Sequence, residues 1–359
     1  MDLPKQDIYM RLKEERRPVI IYGMGNGADK IITRFELHGI PVSGIAASDD
    51  FVRGQSFRGF TVRKISDFEK QFGDFVIVIA FGTSIPDVMG HIYSLAQRHT
   101  VYAPDVPVYG DNYWSLDFFT ENRSDIERAY SLLADERSRF VYESMVCFKL
   151  TGELNYLRRC ETDKDEVFEN IIPLSGNETY LDLGAYRGDT IDELLHYSGG
   201  RYSHITALEP DRKTFAKLKE HTKDMKNVRL FRMGIWSGDR DIPFDGSLGR
   251  GSSIQSSGNE MLAVTCIDTL YAVRNVSYIK MDVEGCERQA LLGGIKTIRR
   301  DRPKMNIAAY HRSEDLFSLI LQLHDIEPSY CLYLRKHPYI PAWDINLYAT
   351  VNFNKEEHT

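Results

Sequence analysis

Two sets of residues in this sequence have types and spacing that could do chemistry. In YLDLGAYRGDT, at 180–190, Asp182 stands two residues before Gly184 at the end of an apolar run, and Gly188 precedes a helix-like stretch. Glycines let a backbone come close to a ligand, and the carboxylate offers an acceptor to an ammonium or hydroxyl group. A pyrophosphate would fit poorly, because two negative charges would face each other in a poorly hydrated cleft. Glu209 follows Gly184 by 25 residues and ends the run HITALEP, where a carboxylate can accept from both hydroxyls of a ribose. An amine-bearing nucleoside satisfies both acids. The second set is Asp282 and Glu284 in YIKMDVEG, with His311 after the run KMNIAAY. Two residues apart in extended chain, the two carboxylates project to one side. Such a set can take a hydroxyl proton, with His311 as the base, while Asp282 and Glu284 orient a substrate or hold a divalent ion.

These residues need strands to carry them. From about 18 to 110, short apolar runs (PVIIY, PVSGIAA, DFVIVIAF, TVYAP) alternate with amphipathic stretches, which predicts a parallel sheet with crossover helices. Between 111 and 175 the strand signal fades. SDIERAYSLLADERSRFVYESMVCFKL reads as one helix with Ser124 and Asp125 at its start, part of a helical bridge. From 176 the alternation resumes through ETYLDLG, HITALEP, VRLFRMG, SYIKMDVEG and KMNIAAYH. The last two strands, SYCLYLRK and INLYATVNF, are joined by HPYIPAWD and predict an antiparallel pair at the sheet edge. The organisation expected is an N-terminal Rossmann-like domain over 1–110, a helical bridge over 111–175 and a larger domain over 176–359.

S-adenosylmethionine has an amino-acid tail, a ribose, an adenine and a sulfonium, and an acidic glycine turn followed by an acidic strand end resembles a class I methyltransferase. In the C-terminal half, YIKMDVEGCERQALLGGIKTI, KMNIAAYHRSEDL, YLRKHP and WDINLYA resemble the FkbM family of S-adenosylmethionine-dependent methyltransferases. The likeness covers about 150 to 350. It implies an α/β fold: a class I, Rossmann-like, doubly wound sheet, mostly parallel with an antiparallel C-terminal edge hairpin. It also implies O-methylation of a sugar, glycan precursor or similar hydroxylated metabolite. The cofactor is expected on Asp182, Gly184, Ala185, Gly188, Asp189, Thr190, Glu209, Pro210, Gly234, Trp236 and Asp282, with adenine near Met233 to Trp236. Arg335 and His337 are candidates for an anionic group of the substrate. GSLGRGSSIQSSG, at 246–258, is a candidate flap in which Ser252 and Ser253 donate hydrogen bonds.

Composition narrows the partners. A net charge of −7 and a pI near 5.9 disfavour a general nucleic-acid binder. No apolar run is long enough to span a bilayer and no secretory signal is evident, so a cytoplasmic enzyme is expected. The five cysteines form no Cys-x-x-Cys pair and indicate neither a zinc knuckle nor a disulfide framework. IYGMGNGA, at 21–28, places Gly23, Gly25 and Ala28 in a dinucleotide-like loop, with Asp49 and Asp50 at roughly the right distance beyond. It leaves two alternatives open: an NAD(P)-dependent oxidoreductase, or a module that binds a nucleotide or nucleotide-sugar without catalysis. Oligomeric state is not readable from the residues.

Overall fold

The computed structural model describes residues 3–245, 253–254, 260–272 and 274–351. Among them, three sheets are formed. The first contains β1 (Val19–Tyr22), β2 (Gly44–Ala47), β3 (Ser56–Phe57), β4 (Phe60–Lys64), β5 (Val76–Ile79) and β6 (Thr100–Tyr102), in the order β3-β4-β2-β1-β5-β6. All its pairs are parallel except β3 with β4. β1, β2 and β5 are buried throughout, as their unbroken apolar runs require when helices cover both faces.

The largest sheet starts with β7 (Thr179–Leu183), β8 (His204–Leu208) and β9 (Val228–Phe231). A small sheet intervenes, made of β10 (Gly234–Ile235), β11 (Arg240–Asp245), β12 (Ser253–Ile254) and β13 (Glu260–Thr265), after which β14 (Tyr278–Met281), β15 (Lys304–Ala308), β16 (Cys331–Lys336) and β17 (Ile345–Thr350) complete the large one. Its order is β16-β17-β15-β14-β7-β8-β9. β17 runs antiparallel to both β15 and β16, so the expected edge hairpin is present. The winding reverses between β7 and β14, and a doubly wound sheet opens its ligand crevice at the carboxyl ends of such strands. Asp182, Glu209, Asp282 and His311 all sit at or just beyond those ends.

The stretch read as one helix is two, Arg123–Ser131 and Glu136–Thr151. Ser124 and Asp125 lie inside the first; the second is capped by Asp135, whose side chain accepts from Ser138 N. The break has a tertiary cause. Ala134 N donates to Leu332 O at 2.8 Å and Leu133 pairs with Leu332, so the interhelical turn is drawn onto the outer strand β16. Thr162 N donates to Lys336 O on the same strand, and the helical segment thereby covers an edge that would otherwise be open.

The sheet of β10 to β13 is absent from the sequence-based expectation. β11 and β13 pair antiparallel and bury Ile242, Leu262 and Val264 against Trp236. One apolar core runs from Ile20 and Tyr22 of the first sheet, through Trp114, Val141 and Phe148, to Leu181, Ile279 and Leu347 of the large one.

Candidate active site

The carboxyl ends of the large sheet open into a cavity of about 580 Å³, within the range of about 300–1,000 Å³ that holds a small-molecule ligand. One side is the glycine turn. Gly184 adopts φ +88°, and a Cβ there would fall 1.9 Å from Asp282 O, so only glycine allows β7 and β14 to meet at this point. Gly188, at φ +101°, precedes the helix Asp189–Tyr197, whose first residues Asp189 and Thr190 line the cavity. Asp182 stands behind that wall, fully buried, with Oδ2 accepting from Thr190 Oγ1 at 2.5 Å. Burial pushes its pKa up to about 7, although the Thr190 bond opposes this. Its Oδ1 has no hydrogen-bond partner, which fits an acceptor held for a donor that a ligand brings.

Glu209 lies on the cavity wall beside Pro210. Its Oε2 accepts from Tyr186 N at 3.0 Å and its Oε1 from Asp211 N at 2.8 Å, which fixes the carboxylate with lone pairs left for ribose hydroxyls. Burial pushes its pKa up to about 7 despite those two backbone donors. Glu209 thus offers a diol acceptor on the cavity wall, Asp182 lies behind the lining residues, and Gly234 lines the wall between Met233 and Ile235. Ala185 is fully buried and donates its N–H to Leu208 O, so it shapes the turn without lining the cavity.

Opposite the cradle, Asp282, Glu284 and His311 converge on the same cavity. They do so differently from the extended alternation expected. β14 ends at Met281, and Glu284 (φ +52°) and Gly285 (φ +87°) form a left-handed turn that brings Glu284 back toward the ring. His311 is 1% exposed. Its Nδ1 lies 2.8 Å from Glu287 Oε1, while its Nε2 faces Asp282 Oδ1 at 3.3 Å and Glu284 Oε2 at 3.6 Å. Burial disfavours the imidazolium, but Glu287 outweighs it with help from Asp282 and Glu284 and pushes the pKa up to about 10. His311, expected as the base, thus has carboxylates facing both ring nitrogens, an arrangement that favours the imidazolium. Glu284 is pushed up to about 7, mainly by burial.

Three other expectations are corrected. Arg335 is buried away from the cavity, held by Asp135 at 2.7 Å and Glu166 at 3.1 Å. Both nitrogens of buried His337 are occupied, Nδ1 by Thr162 O and Nε2 by Tyr348 Oη, each at 2.8 Å, so it braces Tyr348 on the cavity wall and offers nothing to an anion. Trp236 packs in the small sheet with Arg240 5.3 Å from its ring and lines no part of the cavity. Ser252 lies outside the described residues; the backbone of Ser253 lies in β12.

Sequence reasoning missed the far wall. Asn26, Ser84 and Val108 of the N-terminal unit line the same cavity, with Tyr339 and Trp343 from the loop between β16 and β17. Gly82 is required there, since its Cβ would fall 2.4 Å from the Trp343 ring. Two of the IYGMGNGA glycines answer to packing, since a Cβ on Gly27 would fall 2.5 Å from Ala80 O and one on Gly23 2.8 Å from the Phe81 ring, whereas a Cβ on Gly25, at φ +102°, would meet nothing within 4 Å. Glu287 was also missed, although it follows Glu284 by three residues at the start of the helix Glu287–Leu292.

Residues 182–333 match the family model described as the methyltransferase FkbM domain. The chain is similar in fold to the methyltransferase FkbM from Methylobacillus flagellatus KT, with a TM-score of 0.73 and 23% identity over 97% of this chain and 94% of that one. Aeropyrum pernix fibrillarin, solved with natively bound S-adenosyl-L-methionine, matches over 52% of this chain and 73% of its own, at 16% identity and TM-score 0.35. A SAM dependent methyltransferase from Aquifex aeolicus matches over 55% and 98%, at 13% identity and TM-score 0.33. No curated protein matches the chain.

Proposed function

We propose that this chain, whose residues 182–333 match the methyltransferase FkbM domain, transfers a methyl group from S-adenosylmethionine to a hydroxyl of a sugar, glycan precursor or similar hydroxylated metabolite. The observation that carries this reading is that one cavity is lined both by the Gly184 to Thr190 turn with Glu209 and by Asp282, Glu284 and His311. When bound, the cofactor supplies an activated methyl on a good leaving group, so the protein chiefly aligns reactants and manages one proton.

Glu209 and the buried Asp182 set the position of the nucleoside and its amine. Asp282 and Glu284 stand where the acceptor hydroxyl enters and take its proton, while His311, fixed through Glu287, holds them in place. Trp343 and Tyr339, with ring centroids 5.5 Å apart, offer apolar faces to a sugar ring. Asn26, Ser84 and Val108 face the remainder of the acceptor, which leaves room for a glycan or nucleotide-linked portion against the N-terminal unit. No helix among the described residues is long and apolar enough to cross a membrane.

The test is transfer of radiolabelled methyl from S-adenosylmethionine to fractionated glycan precursors, with the product's bond identified by mass spectrometry. O-methyl sugars support the reading. Label found only on nitrogen or carbon, or no transfer together with NADH binding, overturns it.

A further inference from the structure

We propose that Asp282, Glu284 and His311 form a binding site for one divalent metal ion of the Mg²⁺ or Mn²⁺ class, with Glu287 fixing the histidine from behind. The proposal rests on the reading of the cavity given above and specifies how an acceptor hydroxyl would be activated there.

The first ground is the orientation of the ring. Nδ1 of His311 lies 2.8 Å from Glu287 Oε1, which also accepts from Val283 N at 3.0 Å. A carboxylate on one ring nitrogen fixes the ring so that the other faces the cavity carboxylates, where a bound cation would displace the Nε2 proton and take its lone pair; metal-binding histidines are commonly held this way. The other nitrogen, Nε2, is buried and has no hydrogen-bond partner. It points at two carboxylates.

The second ground is distance. Asp282 Oδ1 and Glu284 Oε2 lie 3.3 and 3.6 Å from Nε2. A charge-assisted hydrogen bond would close to about 2.7–2.9 Å. Ligands on adjacent vertices of an octahedral ion with bonds of about 2.1 Å lie about 3.0 Å apart. The observed spacings approach the second arrangement, and small side-chain shifts would close them around an ion. Ligand atoms of Asp282, Glu287 and His311 also lie within 4.8 Å of one another.

The third ground is the backbone. Glu284 holds a left-handed conformation at φ +52°, unfavourable for a residue with a Cβ, and this turn is what returns its carboxylate to His311. Two carboxylates suit an oxygen-preferring ion, the imidazole nitrogen favours Mn²⁺ over Mg²⁺ within that class, and the third carboxylate behind them favours two positive charges at this point. Three protein ligands leave positions open toward the cavity, where an acceptor oxygen can bind, become more acidic and pass its proton to the carboxylate oxygen of Asp282 or Glu284 that does not hold the ion.

The experiment uses the full chain stripped of metal, titrated with Mn²⁺ by electron paramagnetic resonance and calorimetry, with neither cofactor nor acceptor present. We expect one Mn²⁺ per chain, competed by Mg²⁺, with binding at least tenfold weaker in His311→Ala and in the near-isosteric Asp282→Asn and Glu284→Gln. The melting temperature and near-ultraviolet circular dichroism, measured on every variant, report that the fold is intact. Wild-type protein that binds neither ion more tightly than the Asp282→Asn/Glu284→Gln double variant overturns the proposal. Equal Mn²⁺ affinity in wild type and all variants overturns it as well. Because the readout needs no turnover, methyl transfer without metal binding sinks only this site, and metal binding without transfer to any hydroxyl sinks only the O-methylation reading.

Discussion

Thr83 and Ile340 exchange both backbone hydrogen bonds, Thr83 N to Ile340 O at 2.7 Å and Ile340 N to Thr83 O at 2.9 Å, across the seam between the first sheet and the edge hairpin of the large one. The pair fixes the loop that carries Tyr339 and Trp343 over the cavity. Thr83→Pro removes one donor and leaves Ile340 O unpaired, a loss of about 1–3 kcal/mol. The expected outcome is an acceptor KM raised about tenfold with S-adenosylhomocysteine affinity changed less than twofold, measured by steady-state kinetics and calorimetry.

If Glu209 holds the ribose as proposed, cofactor affinity should depend on pH. Its folded-state pKa, about 7 against an ordinary 4.5, means that this group favours the fold below its unfolded pKa and loses that contribution as pH climbs through 7. Ribose hydroxyls reverse the balance because they donate to the anion. S-adenosylhomocysteine should therefore bind more weakly as pH falls below 7. Glu209→Gln should bind about tenfold more weakly at pH 8, with a flatter pH profile, in calorimetry across pH 5.5 to 8.5.

Gly184→Ala tests the meeting of β7 and β14. A methyl group 1.9 Å from Asp282 O, at a φ of +88°, must push the Asp282 turn away or leave the left-handed conformation. We expect loss of S-adenosylhomocysteine binding by at least a hundredfold and a lowered melting temperature. Binding within threefold of wild type would show that the cradle is not where the cofactor lies.

Arg335 should matter to folding and not to the acceptor. Arg335→Met abandons Asp135 and Glu166, whose side chains are 34% and 38% exposed, so water recovers part of the cost. A destabilisation of about 1–3 kcal/mol is expected, with kcat and KM of the folded fraction unchanged.

Legibility in the sequence followed the range of the interactions. The proposed cofactor cradle is local: an apolar run ending in Asp182, a glycine turn and the next strand's terminal Glu209 lie within one strand–helix–strand unit, and each reads from its neighbours. The parallel sheets and the edge hairpin were legible for the same reason. Arg335 was not, because a charged residue in an alternating strand looks the same facing water or facing Asp135, 200 residues earlier. The left-handed Glu284 has no signature either, since nothing in DVEG separates it from an ordinary strand end. Asn26, Ser84 and Trp343 reach the cavity only because two sheets dock. No periodicity announces docking.

The apolar core that passes without interruption from Ile20 to Leu347 has a consequence for how this protein is lost and regained. Nothing insulates one half from the other, so melting should be cooperative, with a single calorimetric transition shared by both units. An isolated 176–359 fragment would expose the faces now covered by Trp114, Val141 and Phe148 and would aggregate. The chain divides on paper near residue 110; as a unit of inheritance it would have to be kept or replaced whole.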